Sequence, residues 1–359
     1  MTSDHIVASE SAREPAREPT RQAPGEPDAG DTGEQRSALR RLVRWESALV
    51  VVLIVTLVFG SVESPNFLQT TNFFYIGLNM GEIAIMALPL MLIIVTAEID
   101  LSVASMLGLS GTVMGALFSA GWSVWAAMAA SLVVGALGGA LNGLLVARLG
   151  LPSIAVTIGT LTLFRGLAEI ILAPRTVTGF PLSLTTIGVA PIPGTEISYS
   201  TAIFLGLAVV CGVVLHATPL GRAIVATGLQ PEAARFSGIR VNRIKFWLFV
   251  VSGVLCAFAG ILFTLKNASV SYDAGTGLEL NVVAIVLFGG VSIFGGRGTV
   301  LGVVLSVVIV GCLQQVLTQL NVAPEIQNIV IGVLLLISVV IPNGREALRR
   351  IRARTRRRG

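Results

Sequence analysis

Two carboxylates stand where the hydrophobic pattern leaves least room for charge. Glu98 and Asp100 fall in TAEIDLSVASMLGLSG, between two strongly apolar stretches, with Ser102 close behind. A carboxylate at membrane depth is costly and is usually functional, carrying a proton or facing a polar solute. Asp100 and Ser102 could equally cap a following helix by accepting its free N–H groups. Transport and capping both remain open at these residues. A second polar group lies in PSIAVTIGTLTLFRGLAEIIL, where Thr157, Thr160, Arg165 and Glu169 are expected to share one broad helical face, with Arg165 and Glu169 as an i,i+4 pair. Such a face lines a polar path, or else the ion pair is neutralised within a bundle and sets helix register.

A third group is cationic and lies outside the apolar runs. PLGRAIVATGLQPEAARFSGIRV, 219–241, carries Arg222, Arg235 and Arg240 against the single acid Glu232, and Arg243 and Lys245 follow. Loops this rich in arginine and lysine stay on the cytoplasmic side. Pro231 suits the first turn of a helix and Gly238 the left-handed residue just past a helix end. Between them is room for about two helical turns. The expectation is a short, capped surface helix between two spans, on which a soluble partner can push; a solvated basic loop that only sets topology is the plainer reading.

The elements that must hold these groups follow from hydrophobicity. The 359 residues are 53% hydrophobic and 13% charged, with mean hydropathy +0.83, which excludes an ordinary soluble domain. Apolar runs of about 20 residues give ten candidate spans, at 46–61, 73–96, 101–119, 124–147, 153–172, 199–217, 244–265, 280–294, 299–320 and 325–342. The fold expected is an all-α polytopic bundle of about ten transmembrane helices with both ends in the cytoplasm. Residues 1–44 read as a disordered cytoplasmic tail, 45–343 as the membrane domain with its loop at 218–244, and 344–359 as a basic cytoplasmic tail. The same path puts Arg148 and Arg297 inside and the longer loops 174–198 and 266–279 outside. The eighth span is short for a full crossing, so it is expected to be tilted, broken or re-entrant under cover of other protein.

Several chemistries are disfavoured. Cys211, Cys256 and Cys312 sit in apolar runs without metal or redox spacing, and His5 and His216 have no ligand company, so no metal is expected. The net charge of +5 gathers in loops and at the C-terminus, where it orients the chain and meets anionic lipid rather than nucleic acid. The only lysines are Lys245 and Lys266, neither in a GxxxxGK[ST] loop, so ATP hydrolysis by that route is excluded. The glycines around Arg297 in FGGVSIFGGRGTVLG serve tight turns and close packing better than phosphate binding. Gln314, Gln315 and Gln319, with Gln327 and Asn328, read as hydrogen-bonding glue between helices or as a polar lining.

Glu232, Ala233 and Ala234, three further residues and then Gly238 resemble the EAA-x3-G core of permease subunits of bacterial ABC importers. GRAIVATGLQPEAARFSGI looks like the ribose-type branch of the branched-chain amino acid/ribose permease superfamily. The Ile-x-Leu-Pro that follows this motif in many importers is absent here, as in the ribose-type branch. Ile99 to Val103 match the GGIDLSVGS signature, with Ala97 and Glu98 replacing its two glycines. PSIAVTIGTLTLFRGLA and FGGVSIFGGRGTVLG continue a likeness that runs from about Phe59 to Pro342.

The resemblance implies a permease that moves a monosaccharide, a ribose-like pentose or a deoxyhexose, across the bacterial inner membrane by alternating access, without catalytic residues or a cofactor of its own. ATP would be bound by a separate ABC ATPase subunit, gripping Gly221, Arg222, Pro231, Glu232, Ala233, Ala234 and Gly238. A periplasmic or surface sugar-binding protein and a second permease copy or paralogue would complete it. The competing class is a proton-coupled secondary transporter of a small polar solute using Glu82, Glu98, Asp100 or Glu169. A scaffold without transport is a third.

Overall fold

A computed structural model describes residues 30–334, 336 and 340, with side chains from Trp45 onward. Residues 1–29, the basic stretch 344–359 and the end of the tenth apolar run lie outside the described residues. The chain is helical almost throughout: α1 (Gly30–Glu63), α2 (Thr70–Val95), α3 (Val103–Ser119), α4 (Val124–Gly143), α5 (Ser153–Leu172), α6 (Leu182–Val189), α7 (Tyr199–Ala217), α8 (Pro219–Leu229), α9 (Pro231–Phe236), α10 (Val241–Asn267), α11 (Leu278–Phe288) and α12 (Val300–Gln319). α13 (Pro324–Leu334) follows, and α4 continues as a π-helical turn over Leu144–Arg148. Among the described residues seven helices are long and apolar enough to cross a membrane, and three more apolar helices, α3, α11 and α13, are shorter. The ten stretches chosen from hydropathy fall on these seven and three. The eighth, expected over 280–294, is helical only in the 11-residue α11, and residues 289–294 lie beyond its end.

α1 begins at Gly30, ahead of Trp45 and inside the stretch expected to be a disordered tail. The reason is local: residues 34–44, EQRSALRRLVR, are mostly strong helix formers. They adjoin an apolar helix that already supplies the nucleus, so propagation is easy.

α2 is the axis. From Met80 to Val95 every residue is buried, including Ile85, Met86, Leu88, Leu90 and Met91 with no exposed surface. A helix apolar all round must be enclosed, and α7, α10, α11 and α12 enclose this one. α10 also packs on α3 and α4. There Gly135 and Gly139 on α4 meet Gly253 on α10 so closely that no Cβ fits at any of the three, the small-residue contact that membrane helices use in place of a hydrophobic drive. By contrast α1, α5 and α7 leave most of their apolar length unburied, with Ile170 82% and Val209 67% exposed.

The two long loops meet each other. β1 (Val177–Thr178) pairs antiparallel with β2 (Ser269–Val270), so 174–198 and 266–279 lie at the same end of the bundle. Gln315 and Gln319 both donate to Asn72 Oδ1, at 2.7 and 2.9 Å, tying α12 to the start of α2. These glutamines act as the interhelical glue read from their positions. Cys211, Cys256 and Cys312 are free and buried.

Candidate functional site

α8 and α9 form the first part of the site. Thr218 ends α7 and starts α8, its Oγ1 accepting from the Gly221 N–H at 3.2 Å, with Pro219 in the first turn. The sequence reading placed one short helix here; the structure has two, and the Thr218–Pro219 pair is the capping signal that marks the extra one. α9 opens on Pro231, carries Glu232 in its first turn and ends before Gly238, whose φ of +81° is the left-handed stop. Its length, six residues, agrees with the two turns expected. Ala234 is buried inward, while Glu232, Ala233, Arg235 and Gly238 are exposed. Gly221 is buried and Arg222 exposed on α8. Phe236, not picked from the motif, is 93% exposed at the tip. An aromatic in an otherwise polar island was the signal for it.

The second part is a knot around residues 96–102, where the chain leaves α2 and enters α3. Ala97 has a φ of +63°, left-handed without being glycine. This is one of the two positions where the resembling signature has glycine, and the strain of an L side chain there is about 1–2 kcal/mol. Ala97→Gly is therefore expected to raise stability by up to about 1 kcal/mol, read from the denaturation midpoint of the purified protein. No change, or a loss, would show that Ala97 is relaxed.

The polar groups of the knot reach partners on α4, α5 and α10 as well as on one another. Glu98 Oε1 accepts from Lys245 Nζ on α10. The Ile99 N–H donates to Ser153 Oγ at 3.1 Å, and Thr157 Oγ1 donates to Ile99 O at 3.3 Å, both from α5. Asp100 Oδ1 accepts from the N–H and Oγ of Ser102, at 2.9 and 2.6 Å, and Asp100 Oδ2 from Ser252 Oγ at 3.4 Å. Asn142 Nδ2 on α4 completes the set by donating to Ser102 Oγ at 2.8 Å. Ser102 occupies the N-cap position of α3 but makes no side-chain cap bond. Its hydroxyl is held by Asp100 and Asn142 instead, so of the two capping candidates only Asp100 receives a backbone N–H near the helix start. Asn142, Ser153 and Ser252 were not singled out from the sequence. They are single polar residues in apolar spans, which is itself a weak signal.

The expected polar face of α5 divides. Thr157 and Thr160 are buried, Thr157 against the knot, but Arg165 and Glu169 do not pair. Arg165 Nη1 donates to Ala274 O, and its Nη2 lies 4.0 Å from Glu279 Oε2. Glu169 is exposed. The helix explains the correction: nine residues at about 100° each put Glu169 about 180° from Thr160. Arg165 meets instead a carboxylate that follows the β2 loop.

A second ion pair joins α2 to α10. Lys266 Nζ donates to Glu82 Oε2 at 2.8 Å, with Glu82 2% exposed. Lys245 and Lys266 are about 30 Å apart along α10, close to the thickness of a hydrocarbon core. The chain's two lysines thus clip α10 antiparallel to α2 at two levels, and Glu82 and Glu98, two of the acids available to a proton carrier, are held by these cations.

The two parts of the site touch. Gly228 on α8 lies against the Val95 carbonyl at the end of α2, and the Gly296 N–H donates to that same oxygen at 2.8 Å. Gly295 rests on Ala97. A continuous chain of contacts therefore runs from α9 through α8 and the glycine turn to the knot. Among the described residues no cluster of three or more metal-ligating side chains occurs.

Residues 72–339 match the family described as branched-chain amino acid transport system / permease component. The chain is 34% identical over 304 residues to the ribose import permease protein RbsC of Escherichia coli (strain K12), covering 84% of this chain and 94% of that protein. It is 32% identical over 309 residues to the autoinducer 2 import system permease protein LsrD of Klebsiella pneumoniae subsp. pneumoniae, covering 83% and 91%. With the autoinducer 2 import system permease protein LsrC of Salmonella choleraesuis the identity is 30% over 301 residues, covering 84% and 86%. No solved structure matches the chain.

Proposed function

Because the chain belongs to the branched-chain amino acid transport system / permease component family, we propose that it is the permease subunit of an ATP-driven ABC importer for a monosaccharide. The substrate class is a ribose-like pentose or a deoxyhexose, carried inward across the bacterial inner membrane. Similarity to a ribose import permease and to two autoinducer 2 import permeases supports a small polyhydroxylated cargo. A separate ABC ATPase subunit binds and hydrolyses ATP, a sugar-binding protein delivers the cargo, and a second permease copy or paralogue covers part of the apolar surface left exposed on α1, α5 and α7.

The observation that carries this reading is the exposed tip of α9, with Phe236 and Glu232 outward, joined by close backbone contacts through α8 to the end of α2. A desolvated aromatic anchor is worth about 2 kcal/mol or more at an interface. ATP-driven movement of the ATPase pair displaces α9, α8 transmits it to the Val95–Ser102 segment, and the spans rearrange around the path. In this reading the face bearing α8 and α9 is cytoplasmic.

The test is uptake of labelled ribose and related sugars by vesicles containing the permease, its ATPase and its binding protein. Phe236→Ala is expected to weaken ATPase co-purification about 30-fold, and Glu232→Lys or Gly238→Pro to uncouple ATP hydrolysis from uptake with membrane insertion intact. Normal uptake in all three variants, or uptake that stops with a protonophore while ATP is maintained, would sink the proposal.

A further inference from the structure

Beside α9 the same end of the bundle holds a concentration of unpaired positive charge. Arg148 at the end of the π-helical turn, Arg235 on α9, and Arg240 and Arg243 where α10 begins line one open cavity of about 790 Å³ with Phe246 and Trp247. No carboxylate lines it. Among the described residues none of the four arginines has an ion-pair partner. Arg235 Nη2 donates to Asn242 Oδ1 at 3.0 Å, and the Arg148 guanidinium lies 5.8 Å from the centre of the Phe246 ring. These contacts orient two of the guanidiniums without neutralising them. α10 starts here without a side-chain cap, so its N-terminal dipole adds to the positive field.

Four exposed like charges lining one open hollow favour entry of an anion. Guanidinium forks match phosphate oxygens in geometry as well as charge. The surroundings point to the source of that phosphate. Trp247 is 55% exposed beside the arginines, and Leu149 and Leu151, one and three residues after Arg148, are 63% and 45% exposed. A basic hollow lined by Phe246 and an exposed Trp247, with exposed leucines shortly after Arg148 in the chain, at the end of apolar spans is the arrangement of a headgroup site, with acyl chains beside the apolar residues. A soluble anion gains nothing from those residues.

We propose that this arginine hollow binds the phosphate headgroup of an anionic phospholipid, holding the start of α10 and the base of α9 to the membrane surface. The inference rests on the membrane-spanning fold and not on the identity of the transported solute.

The test places the full chain in nanodiscs of phosphatidylcholine with a minor share of phosphatidylglycerol and reads lipid retention by native mass spectrometry. The parent is expected to retain phosphatidylglycerol selectively. R148Q/R243Q should lower its apparent affinity about 25-fold, at about fivefold per charge removed, while R148K/R243K, which keeps the charge but loses the fork, should lower it less. Inorganic phosphate at millimolar concentration should leave retention unchanged. Equal retention of both lipids, an unaltered preference in R148Q/R243Q, or displacement of the lipid by inorganic phosphate would overturn the proposal. R148Q/R243Q that keeps the lipid but loses the ATPase subunit would assign the hollow to a protein partner and overturn it too.

Discussion

Replacing Glu82 by alanine is expected to destabilise the protein by about 3–5 kcal/mol, the range for removing one member of a buried ion pair. Lys266, with 15% of its side chain exposed, would keep the Leu78 carbonyl, 3.3 Å from its Nζ, and the Phe263 ring, 5.7 Å away, but no carboxylate. The measurement is denaturant or thermal unfolding in lipid nanodiscs, where the variant should also accumulate poorly. Replacing both members, Glu82→Leu with Lys266→Leu, is expected to bring stability back to within about 1 kcal/mol of the parent or above it, because the desolvation penalty disappears with the charges. The double variant also separates the two transport classes. A permease driven by an external ATPase keeps uptake without Glu82, whereas a carrier that uses Glu82 for protons loses it. A Glu82→Ala protein as stable as the parent would show that the pair adds nothing to the bundle.

Gly228→Ala is expected to insert normally yet lose at least about tenfold in uptake per inserted molecule, with destabilisation of about 1–3 kcal/mol. The added Cβ would overlap the Val95 carbonyl oxygen and come within 2.6 Å of the Gly296 nitrogen. Both are backbone atoms in a hydrogen bond, so neither can swing aside as a side chain could. α8 must then move off the end of α2, which breaks the path from α9 to the knot. Gly238→Ala provides the contrast. Nothing lies within 4 Å of its Cβ position, and only the left-handed φ of +81° opposes it, at about 1–2 kcal/mol. Hydrogen exchange in α8 should rise in Gly228→Ala and stay near the parent in Gly238→Ala. Full uptake by Gly228→Ala would remove α8 from the coupling path.

Much of this arrangement was legible in the chain because the bilayer simplifies the code. A backbone without water must close its hydrogen bonds locally, so a run of apolar residues announces a helix and little else. The apolar stretches therefore fell on helices, although the eighth runs on past the end of α11 into a glycine-rich turn. α9 was legible for a different reason: Pro231 and Gly238 carry their conformational preferences with them. Phe236 escaped notice because exposure is a property of the folded surface, and the motif around it is defined by small residues.

The polar knot was only half legible. Asp100 and Ser102 stand out in an apolar context, but nothing local says that Asn142, forty residues on, and Ser252 complete their hydrogen bonds. The i,i+4 spacing of Arg165 and Glu169 made a pair on paper. The fold supplied Glu279 instead, because the β1–β2 contact brings the 266–279 loop to α5, and the helix turns Glu169 outward.

Residue order alone determined that this chain is a helical membrane protein, where its apolar segments lie and which short polar segment interrupts them, since each of these depends on neighbours along the chain. Which charge meets which, that α2 is the enclosed axis, and that α8 abuts the end of α2 were decided only in three dimensions. Those outcomes depend on side chains brought together from opposite ends of the sequence, where hydropathy is blind and the geometry of close backbone contact selects the partners.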